Sequence, residues 1–247
     1  MRRARRRGAF GGGGGAMLAA LCVLSGAVGA ARPAAAQGSS SRAAARTRVE
    51  GVAAWVGESA RGDGPVAILR SDVELRARLG IAGRTGRASM ARLPAPLLAA
   101  ALDSIVGEVL IEREADRLRA ARPSEADVRR SREEVDRAGG GPGVVQQQLA
   151  LLGASSEELD IVARRRAYVE AFLHANLEGN TVISDAQVER AFETAEHPFV
   201  GRELAAVRDL LRVWLAQRVL SRDVARWIEV LRGRTTVRIL AEWHERG

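Results

Sequence analysis

The sequence predicts a mainly α fold, a multi-helix domain with a small antiparallel sheet formed by an N-terminal hairpin and a C-terminal strand. Three observations predict it. Across residues 95–121, Leu98, Ala101, Leu102, Ile105, Val109 and Leu110 recur at three- and four-residue steps, the spacing that lines one helical face. Four openings, Ser71-Asp72-Val73-Glu74, Ser124-Glu125-Ala126-Asp127, Ser155-Ser156-Glu157-Glu158 and Ser184-Asp185-Ala186-Gln187, place a hydroxyl three residues before a carboxylate or amide, the reciprocal cap of a helix start. Short strand-like segments lie only towards the two ends, at 49–56, Val66–Leu69 and 235–240.

The chain opens with a basic run over residues 1–7, an apolar run over 16–31 and Ala34-Ala35-Ala36 before Gln37. That order is the grammar of a secretory signal peptide, so residues 1–36 are expected to be removed and the protein to be periplasmic. An uncleaved anchor is the alternative, disfavoured because the run is mostly Ala and Gly rather than strongly apolar. A lipoprotein reading fails at Leu21, too large for the residue before Cys22, and Arg6-Arg7 is only a weak twin-arginine signal. Residues 37–48 form an aperiodic Ser/Ala/Arg spacer expected to be disordered.

Composition narrows the function. All 38 basic residues are Arg, which reflects codon bias rather than phosphate binding. Arg2, Arg3, Arg5, Arg6, Arg7 and Arg32 precede the expected cleavage point, so the remainder carries a formal charge of only about +2, and nucleic acid is not an expected partner. Cys22, the one cysteine, lies in the leader, which excludes disulfides and Cys-metal sites from the mature chain. His174, His197 and His244 are scattered without a second ligand at metal spacing, and no Ser/His/Asp order, phosphate loop or carboxylate pair stands out. No cofactor, no metal and no catalytic constellation are expected.

In chain order, residues 49–56 and Val66–Leu69 read as a hairpin around Gly62, Asp63, Gly64 and Pro65. A helix capped by Ser71 follows, and 80–93, rich in Gly and Arg, reads as loop. The long helix at 95–121 is bounded by Pro96 in its first turn and Pro123 beyond its end. The run 112–137 holds eight Arg and eight Asp or Glu, a mutually paired solvated face. Capped helices follow, a further short one at 144–152 after the Gly139-Gly140-Gly141-Pro142-Gly143 break, then a second long helix at 202–231 stopped by Gly233. The strand at 235–240 needs a ladder partner, and the N-terminal hairpin is the available one. The expected organisation is therefore one domain over 49–240, in two parts (49–200 and 202–240), with 241–247 as tail.

Three stretches in this order resemble the chaperone domain of SurA-like periplasmic proteins: Val52 to Val56 with Val66 to Val73, Ala101 to Ala115, and Trp227 to Arg232 with the strand at 235–240. The capped segments at Pro123 to Val128, Ser155 to Leu159 and Ile183 to Val188 fall where that family has its short helices. The resemblance implies a trigger-factor-like peptide-binding module for unfolded or extended envelope and outer-membrane polypeptides, with outer-membrane assembly machinery as a further partner. Isomerases of this family insert a parvulin domain of about a hundred residues before the last helix. Here about ten residues separate Glu193 from Arg202, so no isomerase domain fits and no enzyme activity is expected.

Such a client needs apolar surface in a groove between helices. The candidates are Leu149, Leu152, Tyr168, Phe172, Phe199 and Trp214, with ordinary core as the alternative reading of each. Two other functions stay open: an envelope assembly subunit that uses the scaffold for one folded partner, and an enzyme whose site the sequence does not reveal. No stable membrane insertion is expected after cleavage.

Overall fold

A computed structural model describes residues 50–58, 64–177, 182–194 and 197–244. The leader, the spacer, Val49, the turn residues Gly62 and Asp63, and the tail at 245–247 lie outside them. The elements run β1 (Val52–Val56), β2 (Val66–Leu69), α1 (Arg70–Thr85), α2 (Ala95–Arg117), α3 (Glu125–Ala138), α4 (Pro142–Leu152), α5 (Ser156–Leu177), α6 (Asp185–Glu193), α7 (Leu204–Arg232) and β3 (Val237–Ile239), then a 3₁₀ turn at Glu242–His244. The fold is mainly helical with one three-stranded antiparallel sheet.

The sheet order is β2-β1-β3, and β1 pairs with β3 in the register Ala54 to Ile239, Trp55 to Arg238 and Val56 to Val237. The two ends of the described chain therefore close on each other, as the unpartnered C-terminal strand required. Backbone bonds extend the pairing: Gly57 N–H donates to Thr236 O at 2.8 Å and Leu240 N–H to Ala53 O at 2.8 Å. As the central strand, β1 buries Ala53, Ala54 and Val56. Val237 and Ile239 are half-buried on the core side while Arg238 points to solvent, the alternation of a strand covered on one face. Residues 241–244, expected as tail, are held to the body: Ala241 is buried, Trp243 packs on the main core, and the Arg70 guanidinium lies 5.2 Å from its ring.

Most helix boundaries fall within two residues of the sequence expectation, α4 at Pro142 rather than 144 and α7 at Leu204 rather than 202, but both ends of α1 and the end of α2 differ for physical reasons. Helix α1 starts directly from β2, one residue before Ser71, because the Asp72 carboxylate accepts from Leu69 N–H at 3.1 Å. Ser71 Oγ donates instead to Glu50 and Glu74 pairs with Arg78. The helix also runs through Gly80 and Gly83 to Thr85, where a loop was expected. Gly83 is there for contact: a Cβ would sit 1.8 Å from the Ala138 carbonyl oxygen of α3. Helix α2 stops at Arg117 rather than 121 because Arg119 adopts a left-handed conformation (φ 54°). Its N–H donates to Asp116 O at 3.0 Å and Ala120 N–H to Ala115 O at 2.9 Å, the paired bonds of a Schellman end.

The two glycines of α1 test this packing against each other. Gly80→Ala adds a methyl where nothing lies within 4 Å and removes a flexible residue from a helix, so it is expected to stabilise by about 0.5–1 kcal/mol. Gly83→Ala drives a methyl into backbone and is expected to destabilise by roughly 1–3 kcal/mol. Thermal unfolding of both decides; shifts of the same sign would refute the close approach of α1 to α3.

The caps at Ser124 and Ser184 form as expected, and Ser155 and Glu158 exchange N–H bonds at 3.0 and 3.4 Å before α5. Helix α2 is the axis of the main core. Leu102, Ile105, Val106, Val109, Leu110 and Ile111 are buried on it, and α1, α5, α7 and the sheet pack around it. A second core gathers Leu75, Leu79, Val135, Val145, Leu149, Leu152 and Leu159.

Candidate functional site

Four of the six expected binding residues are core side chains. Leu149 and Leu152 are buried in the second core, Tyr168 and Phe172 in the main one. The Phe172 ring stacks on Trp227 at 5.3 Å. Tyr168 donates its hydroxyl to Asp116 Oδ1 at 2.9 Å, with the Arg122 guanidinium 4.6 Å from its ring centroid. These partners account for both rings without a client. Phe199 and Trp214 are half-buried, one in the loop before α7 and the other on it.

Both belong to an arm made of α6, the connecting loop and the first half of α7, Phe199 at the loop and Trp214 further along the helix. Val188 of α6 buries against α7, whose Val207 and Leu211 are also buried. Asp185 pairs with Arg208 at 3.6 Å and with Arg212, and Glu189 pairs with Arg208 at 3.2 Å, so α6 lies antiparallel along α7. In the connecting loop, His197 stacks on Phe192 at 5.2 Å and on Phe199 at 6.1 Å. His197 Nδ1 accepts from Phe199 N–H at 3.0 Å, which puts the ring proton on Nε2, facing Phe192 O at 3.2 Å. This knot fixes the turn and holds Phe199 at its edge.

Apolar side chains on the arm stay in solvent. Leu210 is 56% exposed and Val213 63%; with Trp214 they stand at i, i+3 and i+4, one helical face. Val200, in the loop, is 67% exposed, and Val182, before α6, is 84% exposed. The Arg218 guanidinium lies 4.7 Å from the Trp214 ring centroid. By its spacing Leu210 belongs with Val207, Leu211 and Trp214 on the apolar side of α7, yet it stands in solvent. From Val207 to Leu215 the apolar residues cover more of the circumference than one short partner helix can bury, and that width was the signal in the sequence.

The interior carries charge as well. Arg76 clasps Glu108 with both Nη atoms, at 2.6 and 2.8 Å, and both side chains are largely buried. Burial pushes the Glu108 carboxyl up, but Arg76 outweighs it and holds the group below the ordinary 4.5. Burial and the nearby Glu134 push Glu170 the other way, above that value. Beside these groups, α1, α2, α3 and α5 enclose a cleft of about 360 Å³. Among the described residues there is no cluster of three or more His, Cys, Asp or Glu able to hold a metal, and no helix is long and apolar enough to cross a membrane. Comparison with protein-family models, with curated proteins and with solved structures found no match, which leaves the arm and the cleft as what the function is read from.

Proposed function

We propose that this chain is a periplasmic holding protein for unfolded envelope or outer-membrane polypeptides, without prolyl isomerase activity. The observation that carries the reading is the apolar face of the arm, where exposed Leu210 and Val213 line one side of α7 with half-buried Trp214. Scattered exposed aliphatic side chains are ordinary, but Leu210 and Val213 aligned beside the half-buried Trp214 make a surface that accepts apolar segments with little demand on their sequence. Arg202, Arg218 and Arg222 on and beside α7 leave that surface soluble when unoccupied. The resemblance to SurA-like chaperone domains supports the same reading, and the short stretch between α6 and α7 supports the missing isomerase.

The test uses an unfolded outer-membrane barrel diluted from urea. The full chain is expected to keep it soluble and to leave proline-limited refolding of a second protein unaccelerated. Leu210→Asp with Val213→Asp is expected to cut holding at least fivefold while changing stability by less than about 0.5 kcal/mol per site, since both side chains face solvent. Undiminished holding in that variant would remove the arm from the mechanism. Co-purification with one folded envelope protein and no holding would favour an assembly subunit.

A further inference from the structure

The cleft bounded by α1, α2, α3 and α5 lies apart from the arm, and its lining is divided in character. Leu79, Leu97, Ala101, Val135 and Val162 give it apolar walls, and Gly80 opens one side, since a Cβ there would meet nothing within 4 Å. Its volume falls at the low end of the range for small-molecule pockets. Leu79, Ala101 and Val135 are buried, whereas Arg84 and Ala138 are exposed, so the cleft has a closed floor and an open mouth.

Arg166 of α5 reaches this lining although its side chain is only 7% exposed. Its Nε is buried with no hydrogen-bond partner, and among the described residues no carboxylate lies at ion-pair distance from its guanidinium. An Nε–H left unmatched in a buried place is costly. The nearby acids Glu108 and Glu170 act on it through their charge, without a hydrogen bond to its Nε. Glu108 is taken bidentately by Arg76, and burial and Glu134 push the Glu170 carboxyl up against the pull of Arg166. Asp103, also on the lining, lies 3.0 Å from Arg232. Arg84 adds further positive charge to the same wall.

We propose that this cleft binds a small amphipathic carboxylate, its apolar tail between α1 and α2 and its head on the guanidinium of Arg166. The planar fork of Arg matches a carboxylate in two parallel bonds, and a buried, low-dielectric setting strengthens them. A cationic ligand meets repulsion from Arg84 and Arg166, and a purely apolar one gives Arg166 no acceptor. The same chemistry is offered by a free acid and by a polypeptide whose last residue is apolar.

Calorimetric titration of the full chain separates these cases. The probes are octanoate and octanamide, and a tetrapeptide ending in leucine as its acid and as its amide. At least one acid is expected to bind about tenfold or more tighter than its amide, the worth of a charge-assisted hydrogen-bond pair in a buried place. Octanoate binding alone identifies a free acid, and peptide binding a chain end; either supports the site. Arg166→Met is expected to bring acid and amide within about threefold of each other while the amide's weak affinity stays, a pattern that loss of structure would not produce. Gly80→Leu projects a side chain into the open space and is expected to abolish binding of both forms without lowering the melting temperature. No binding by either acid, equal binding of acid and amide, a preference that survives Arg166→Met, or binding unchanged in Gly80→Leu each overturns the proposal.

Discussion

Truncation after Gly233 is expected to remove a large part of the protein's stability, although chain ends usually tolerate loss. The deletion takes away Val237 and Ile239 from beneath the main core, buried Ala241, and Trp243 with its Arg70 contact. Partial burial of two aliphatic residues, an alanine and an indole is worth roughly 4–6 kcal/mol, against a total stability of about 5–15 kcal/mol for a typical domain. It also strips β1 of its second partner. Gly57 N–H loses Thr236 O and Ala53 O loses Leu240 N–H, so a central strand becomes an edge. A fall of ten degrees or more in melting temperature, faster amide exchange over residues 52–56 and a tendency to aggregate are expected together. Unchanged exchange at Val52 to Val56 would show that β1 does not depend on β3.

Glu108→Ala is expected to cost about 3–5 kcal/mol, because it removes the carboxylate that takes both Nη atoms of Arg76 in a largely buried position. The double change Arg76→Met with Glu108→Leu removes both charges, keeps the volume and is expected to recover most of that loss. The pH dependence follows from sign. The folded carboxyl titrates below 4.5, so the clasp contributes its stability above that pH and loses it as the pH falls through the folded value. Acid unfolding of the wild type should therefore steepen below about pH 4.5, and the double variant should show a flatter acid limb. Equal acid limbs in the two proteins would rule out Glu108 as a source of acid sensitivity.

Much of this fold was legible because local and global signals agree. The caps at Ser124, Ser155 and Ser184 are short-range chemistry and form as read. The pairing of β3 with β1 was legible for a different reason: a terminal strand must find a ladder, and few strands were available. What failed were positions where tertiary contact overrides local preference. Gly83 looks like a loop residue until the Ala138 carbonyl is placed against it, and nothing in an arginine announces the left-handed turn at Arg119. The site was harder still. Periodicity shows that Leu149, Leu152, Tyr168 and Phe172 share faces with other apolar residues, but a buried face and a client-binding face have the same period. Arg166 did leave a trace. In Arg164-Arg165-Arg166 each side chain is turned about 100° from the last, so three helical arginines in a row cannot all reach open solvent on a packed helix. Arg164 is exposed, Arg165 pairs with Glu112, and Arg166 turns inward.

The antiparallel pairing of β1 with β3 also decides how the molecule answers to mechanical load. Val52 begins β1 and Ile239 ends β3, and the register sets these two points at the same end of the sheet. A pull on the segments that flank them loads the ladder bonds in sequence rather than together, as a zipper is opened, so each yields at low force. Before the ladder feels that load, the 3₁₀ turn must give way, and Trp243 and Ala241 must leave the core. The indole thus acts as a latch on a weak zipper. A tether attached through both flanks would hold the folded protein only while that latch stays seated, and tension would release the sheet first and the α2-centred helices afterwards.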